Sequence, residues 1–337
     1  MAEIPTDFKQ SSVQPKMPAL LIVAFLRPDN LQRIFSIAHS AGVRNFFISI
    51  DVPAKHRVDL IPLSQSVIEV AKSFEAFSDS EIQIVVRDSN VGCSASVLSS
   101  CDWFFSLVEE GVVLEDDCIP SPEFFSYASD SLRQIALDSE IWLACGTQFA
   151  PTEICNNWQK SKFMLTWGWA TNKLNWAQMS MTLKEGYQKL DRDLKISVRE
   201  KAYWNAGSKR AYSGISDAWD TPLAQKMLLK RKVALLPAAS LVTNIGNDRV
   251  ATHTQGKALG IGRALGSYTP AFTAPQNNSE VDTWLLENFF NIRFRHILST
   301  RVTQLRDTLA FKHFRNSPLL CRWFQASISF NSEGFSV

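Results

Sequence analysis

An α/β fold, with an open, mostly parallel, doubly wound sheet and a helical carboxyl-terminal appendage, is what this sequence predicts, and three observations carry the prediction. Apolar strand-like runs alternate with segments of helical spacing through the first 120 residues. The first run, Pro18 to Leu26, is apolar at nearly every position, as a strand covered on both faces must be. Three strand ends carry charged residues, at Arg27, at Asp51 and at the triplet Glu115, Asp116 and Asp117, where an open parallel sheet presents its ligands.

In chain order, a polar lead runs to Lys16 and the first strand follows it. Leu31, Ile34, Phe35 and Ala38 fall at helical spacing behind that strand, with Asp29 in the loop to cap the helix. Arg44 to Asp51 reads as the second strand, residues 67 to 77 as a helix and Glu81 to Val86 as the third strand. Cys93 to Val108 reads as a helix leading to a fourth strand, Gly111 to Leu114. The remainder is less regular. It offers a strand near Val233 to Leu236, a polar loop from Asn244 to Thr254, and a Pro-, Ala- and Asn-rich linker from about Ser267 to Ser279. Val281, Leu285, Leu286, Phe289 and Ile292 then mark an amphipathic helix.

Composition excludes some classes of function. The 337 residues are 45% hydrophobic and 20% charged, with 35 Lys and Arg against 33 Asp and Glu, which suits a folded protein and not a nucleic-acid-coating one. The six cysteines, Cys93, Cys101, Cys118, Cys145, Cys155 and Cys321, form no Cys-x-x-Cys pair and have no His spaced to complete a zinc site. They read as reduced thiols of a cytosolic protein. The stretch before Lys16 lacks the apolar core of a secretory signal. The apolar run after it is far shorter than the roughly 20 residues of a membrane span, so a cytoplasmic location is expected.

The most informative segment is Val112 to Phe125, in which three consecutive acids follow an apolar strand. Acidic triplets are common in solvated turns. At a sheet's ligand edge, however, such charge is costly unless a hard divalent cation and phosphate oxygens complete it. Residues 109 to 125 resemble the metal-binding Glu-Asp-Asp segment of the GT-A glycosyltransferases of the N-acetylglucosaminyltransferase I type, down to the following Pro and the paired Phe124 and Phe125. The resemblance continues in order through Trp142 to Gln148, Thr166 to Ala170, Ser216 to Asp220, and Pro237 to Thr254. It implies a Rossmann-like GT-A catalytic domain over residues 17–270, with a nucleotide-binding half to 120 and an acceptor half beyond. A flexible lead over 1–16 and a linker with a helical appendage over 271–337 would flank it.

Carried over residue by residue, the resemblance implies that Asp117 binds Mn2+ or Mg2+ while Asp116 and Glu115 contact the donor. Arg27 and Asp51 match positions that hold the nucleotide base and ribose, the bland readings being a strand-end salt bridge and a helix cap. Arg87, followed by Asn90, Gly92 and Cys93, resembles a segment of bacterial relatives. Trp169, with Trp167, either walls the donor site or packs the core. Asn244 and His253 lie in the loop expected to close over the diphosphate, His253 as a phosphate donor or a second metal ligand. Asp217 takes the place of the catalytic base, with Asp220 as its rival, because an inverting transfer needs one carboxylate to accept the acceptor's proton.

The activity so implied is inverting transfer of a hexosyl or N-acetylhexosaminyl group from a nucleotide-diphosphate sugar, UDP-linked by expectation, to a saccharide or lipid-linked acceptor in bacterial surface polysaccharide assembly. The rivals are a non-catalytic carbohydrate-binding protein and a sugar nucleotidyltransferase. The second would want a Gly-rich loop after the first strand, and Phe25 to Asn30 has no glycine. Between residues 290 and 325, seven Lys or Arg among aromatics suit either an appendage packed on the core or peripheral contact with an anionic membrane.

Overall fold

The computed structural model describes residues 17–156, 158–191, 193–246, 265–270 and 273–292. Strands β1 (Ala19–Ala24), β2 (Asn45–Ile50) and β3 (Glu81–Val86) alternate with helices α1 (Pro28–Ser40), α2 (Ile61–Ser73) and α3 (Cys93–Leu107), and β4 (Glu110–Glu115) follows. These four strands lie parallel in the order β4, β1, β2, β3. β1 is buried at every position, as two-sided coverage requires, whereas β3 is the sheet edge and leaves Val85 and Val86 exposed. Helix α1 turns Leu31, Ile34, Phe35 and Ala38 inward, and Phe35 stacks on Phe74 with ring centres 3.8 Å apart. Asp29 does not cap that helix as expected. Pro28 takes the first helical position, which leaves Asp29 in the first turn, where its charge still opposes the helix dipole.

The second half adds β5 (Cys118–Pro120), α4 (Glu123–Leu137), β6 (Ile141–Cys145), β7 (Trp158–Ser161), β8 (Trp169–Asn172), α5 (Lys173–Lys184), α6 (Val198–Tyr212) and α7 (Asp220–Lys230). It ends with β9 (Val233–Pro237), β10 (Val242–Asn244), β11 (Gln276–Asn277) and α8 (Ser279–Trp284). Among the described residues a nine-stranded sheet runs β11-β7-β9-β6-β8-β4-β1-β2-β3. Five of its neighbouring pairs are parallel and three antiparallel, so the sheet is mostly parallel, in an α/β Rossmann-like arrangement.

Helices α1, α2 and α4 cover one face, where Leu20, Ile22, Phe46 and Ile48 point. Helices α3, α5, α6, α7 and α8 contribute to the other, around Leu21, Val23, Phe47 and Val113. Strand β8 runs against both β4 and β6. As a result β6 and β9 point the same way as β1, β2 and β4, and the chain enters β8 at the very edge where those strands end. A separate antiparallel ribbon of β5 and β10 sets Asn244 opposite Cys118.

Candidate functional site

The ends of β1, β2 and β4, the entry to β8 and the turn before α7 open onto one cleft of about 950 Å³. Arg27, Asp51, Glu115, Asp116, Asp117, Asp217 and Asn244 all line it, so most of the residues singled out from the sequence meet in one place. His253 and the basic segment beyond residue 292 lie outside the described residues.

Each acid keeps different company. Asp51 is buried and accepts hydrogen bonds from the amides of Val52 (2.9 Å) and Val91 (3.3 Å) and from Asn90 Nδ2 (3.3 Å). Burial raises its pKa, and those amides together with the nearby Arg87 charge act against the rise. Asp116, equally buried, accepts from the Phe25 amide (2.8 Å) and from Arg27 Nη1 (2.7 Å). Asp117 is more open: its Oδ1 accepts from Asn244 Nδ2 at 3.0 Å, and Arg27 Nη2 stands 3.9 Å from Oδ2. Burial, then the charges of Asp117, Asp116 and Asp220, push the Glu115 carboxyl up to about 8. Like charge accumulates here faster than Arg27 can offset it.

Asp217 sits on the amino terminus of α3. Its two carboxylate oxygens accept from the first amides of the helix, Cys93 at 2.7 Å and Ser94 at 3.1 Å. Gly92 makes this approach feasible, since its φ of +83° is one that side-chain-bearing residues rarely adopt, and a Cβ there would meet Asp217 Oδ2 at 3.0 Å. Each carboxylate oxygen retains a second acceptor direction for a substrate hydroxyl.

Two expected residues are not part of the lining. Trp169 is the first residue of β8 and is buried against Trp176 and Trp219, while Trp167, two positions earlier, faces the cleft. The reason is Gly168, whose φ of +72° breaks the strand's alternation between the two rings. Arg87 donates to the Ser96 carbonyl (3.1 Å), Ser99 Oγ (2.7 Å) and Ser100 Oγ (3.1 Å), which ties the end of β3 to α3 beside the cleft.

Some of the lining is barely marked in the sequence. His56 and Arg57 reach the cleft from the loop after β2. Their one available signal was the basic run Lys55, His56, Arg57 just past the strand-ending Asp51.

Among the described residues no group of three or more His, Cys, Asp or Glu is disposed to hold a metal on its own. The residues nevertheless suit a hard divalent ion that takes its other ligands from phosphate and water, since Asp117 offers a cleft-facing carboxylate in an acid-rich setting. Gly246 keeps space open in front of that carboxylate, because a Cβ there would fall 2.2 Å from Asp117 Oδ2.

No protein-family profile and no curated protein matches the chain. Among solved structures it resembles HddC from Yersinia pseudotuberculosis complexed with GMP-PN, at 13% identity over 54% of this chain and 87% of that one, with a TM-score of 0.31. A protein from Bacillus anthracis described as a glucose-1-phosphate thymidylyltransferase, solved with sucrose, is 12% identical over 71% of this chain and 97% of its own, with a TM-score of 0.40. A UDP-glucose pyrophosphorylase complexed with UDP-glucose is 9% identical over 66% of this chain and 90% of its own, with a TM-score of 0.33. Likeness this distant bears on neither activity nor substrate.

Proposed function

We propose that the protein is an enzyme acting on a nucleotide-diphosphate sugar, and specifically a divalent-metal-dependent glycosyltransferase. The observation that supports this is the convergence of Asp51, Asp117 and Asp217, from three distant parts of the chain, on one cleft beside Arg27. In this reading Asp51 and Asn90 receive the nucleoside, Arg27 and Asp116 hold the floor of the site, and Trp167 closes one wall. Asp117, with His253 as a further candidate, would hold Mn2+ or Mg2+, which when bound neutralises charge on the leaving diphosphate.

The acceptor hydroxyl attacks the anomeric carbon as the bond from that carbon to the diphosphate oxygen breaks, the electron pair leaving with the diphosphate. Asp217 accepts the hydroxyl proton, and one such carboxylate suffices for inverting displacement. Asp220 remains its rival, because it lines the same cleft at the start of α7.

Synthesis of an activated sugar by nucleotidyl transfer is the alternative, and carbohydrate binding without catalysis is another. Against nucleotidyl transfer stands the turn after β1, where α1 begins at Pro28 with no glycine loop to wrap a triphosphate. Thermal stabilisation by a panel of nucleotide sugars with and without Mn2+, compared between wild type and Asp117→Ala, tests the site. Saturating donor should add about 3 kcal/mol to the wild type at a hundredfold excess over Kd, and the metal-dependent part should vanish in the variant. If no nucleotide stabilises the wild type more than the variant, the donor site is misassigned. Product analysis separates the enzymatic readings: release of nucleoside diphosphate marks transfer, and release of pyrophosphate from a triphosphate with a sugar 1-phosphate marks nucleotidyl transfer.

A further inference from the structure

A second cavity, of about 530 Å³, adjoins the large cleft, and Asp217, Ala218 and Trp219 line both. Leu98, Leu183 and Tyr212 give it an apolar side, and Asp102, Lys184 and Ser216 a polar one. Asp102 braces the wall between α3 and α5. It accepts from Trp176 Nε1 at 2.8 Å and Ser180 Oγ at 3.1 Å, and Lys184 Nζ stands 3.8 Å away. Those three partners are spaced four apart along α5 and so share one face of it. Tyr212 closes the other side by donating its hydroxyl proton to the Leu183 carbonyl at 3.0 Å, joining α6 to α5. The cavity is thus held by contacts among three helices.

We propose that this cavity binds the acceptor, a saccharide of one or a few rings. An apolar side for the C–H face of a ring and a few polar groups for its hydroxyls are what such a ligand requires. Its place in the reaction rests on the reading of Asp217 as the base. Inverting transfer needs the attacking hydroxyl and the leaving diphosphate on opposite sides of one carbon. Asp217 is the carboxylate common to both cavities, so an acceptor in the smaller one has its hydroxyl next to the group that takes its proton.

Saturation-transfer NMR with lactose and N,N′-diacetylchitobiose as probes tests the binding site directly, without a donor. Wild type and Asp117→Ala should both give saccharide signals, and Ala211→Trp, which fills the cavity from α6, should lose them. Lys184→Glu, on an exposed side chain, checks the polar side even where the tryptophan variant fails to fold: its saccharide Kd should rise about tenfold, equivalent to about 1.4 kcal/mol. Absence of signal from the wild type, or binding by Lys184→Glu and a folded Ala211→Trp equal to that of the wild type, overturns the proposal. If nucleotide sugars fail to stabilise the protein while saccharide signals persist and the variants weaken them, the donor reading falls and the saccharide site stands.

Discussion

At the scale of single residues, Asp116 is a buried charge in the lining of the cleft. Its carboxylate is buried with Asp117 as a neighbour, and Arg27 is the cation that accompanies it at 2.7 Å. Replacing Arg27 with Ala leaves that buried charge without its partner, so unfolding free energy in urea should fall by about 3 kcal/mol. Arg27→Lys should recover only part, because an ammonium lacks the planar fork. A loss below about 0.5 kcal/mol would mean that Asp116 is neutralised in another way. Gly246→Ala tests the open space before Asp117. The new Cβ would lie 2.2 Å from Oδ2, so the carboxylate must shift, and Mn2+ affinity in the presence of nucleoside diphosphate should weaken at least about tenfold by calorimetric titration. Asp217→Asn makes the complementary case: nucleotide-sugar stabilisation should survive and transfer should be lost, whereas unchanged turnover would move the base to Asp220.

Among the secondary-structure elements, burial explains only part of what the sequence announced, since α4 buries Phe124, Phe125, Ala128, Leu132 and Ile135 at helical spacing and still was not among the expected helices. The strands β1, β2, β3 and β4 are short apolar runs between turn residues, and their bounds fall within one or two positions of expectation. The helices α5, α6 and α7 went unannounced because their buried positions include Asn175, Ser180, Glu200, Ser208, Gln225 and Lys226, which blur any apolar stripe. The same obscurity hid part of the smaller cavity, to which α5 gives Ser180, Leu183 and Lys184 and α6 gives Ala211 and Tyr212. Pairing direction was also illegible: nothing local in Trp169 to Asn172 says that this strand runs against both neighbours. The place of the acidic triplet at the cleft edge, by contrast, was legible because its apolar strand fixed which edge it occupied. Close packing where β6 ends gives a prediction at this scale. In Gly146→Ala the new Cβ would sit 2.5 Å from Val242 Cγ2 and 2.7 Å from the Phe124 ring, which should cost about 2 kcal/mol of stability, read by chemical denaturation.

For the molecule as a whole, acid sensitivity follows from pairs such as Asp138 and Lys160, which link the end of α4 to β7 with Nζ 2.5 Å from Oδ2. The hydrogen bond to Lys160 holds the Asp138 carboxyl below its ordinary pKa. A carboxyl depressed in the folded state contributes its stability above the unfolded-state pKa and loses it as pH falls through the folded-state value. Melting temperature should therefore drop more steeply below about pH 4 in the wild type than in Asp138→Asn, with the two curves converging in strong acid. Parallel curves would show that the pair adds nothing to the pH dependence.

The reversed strand β8 has a mechanical corollary. By bonding to β4 on one side and β6 on the other, it welds the amino-terminal and carboxyl-terminal portions into one continuous ladder, so no crease is left about which they could swing. On the proposed function, the sheet then acts as a stiff platform during ligand binding. Small-angle scattering should accordingly report the same radius of gyration with and without ligand.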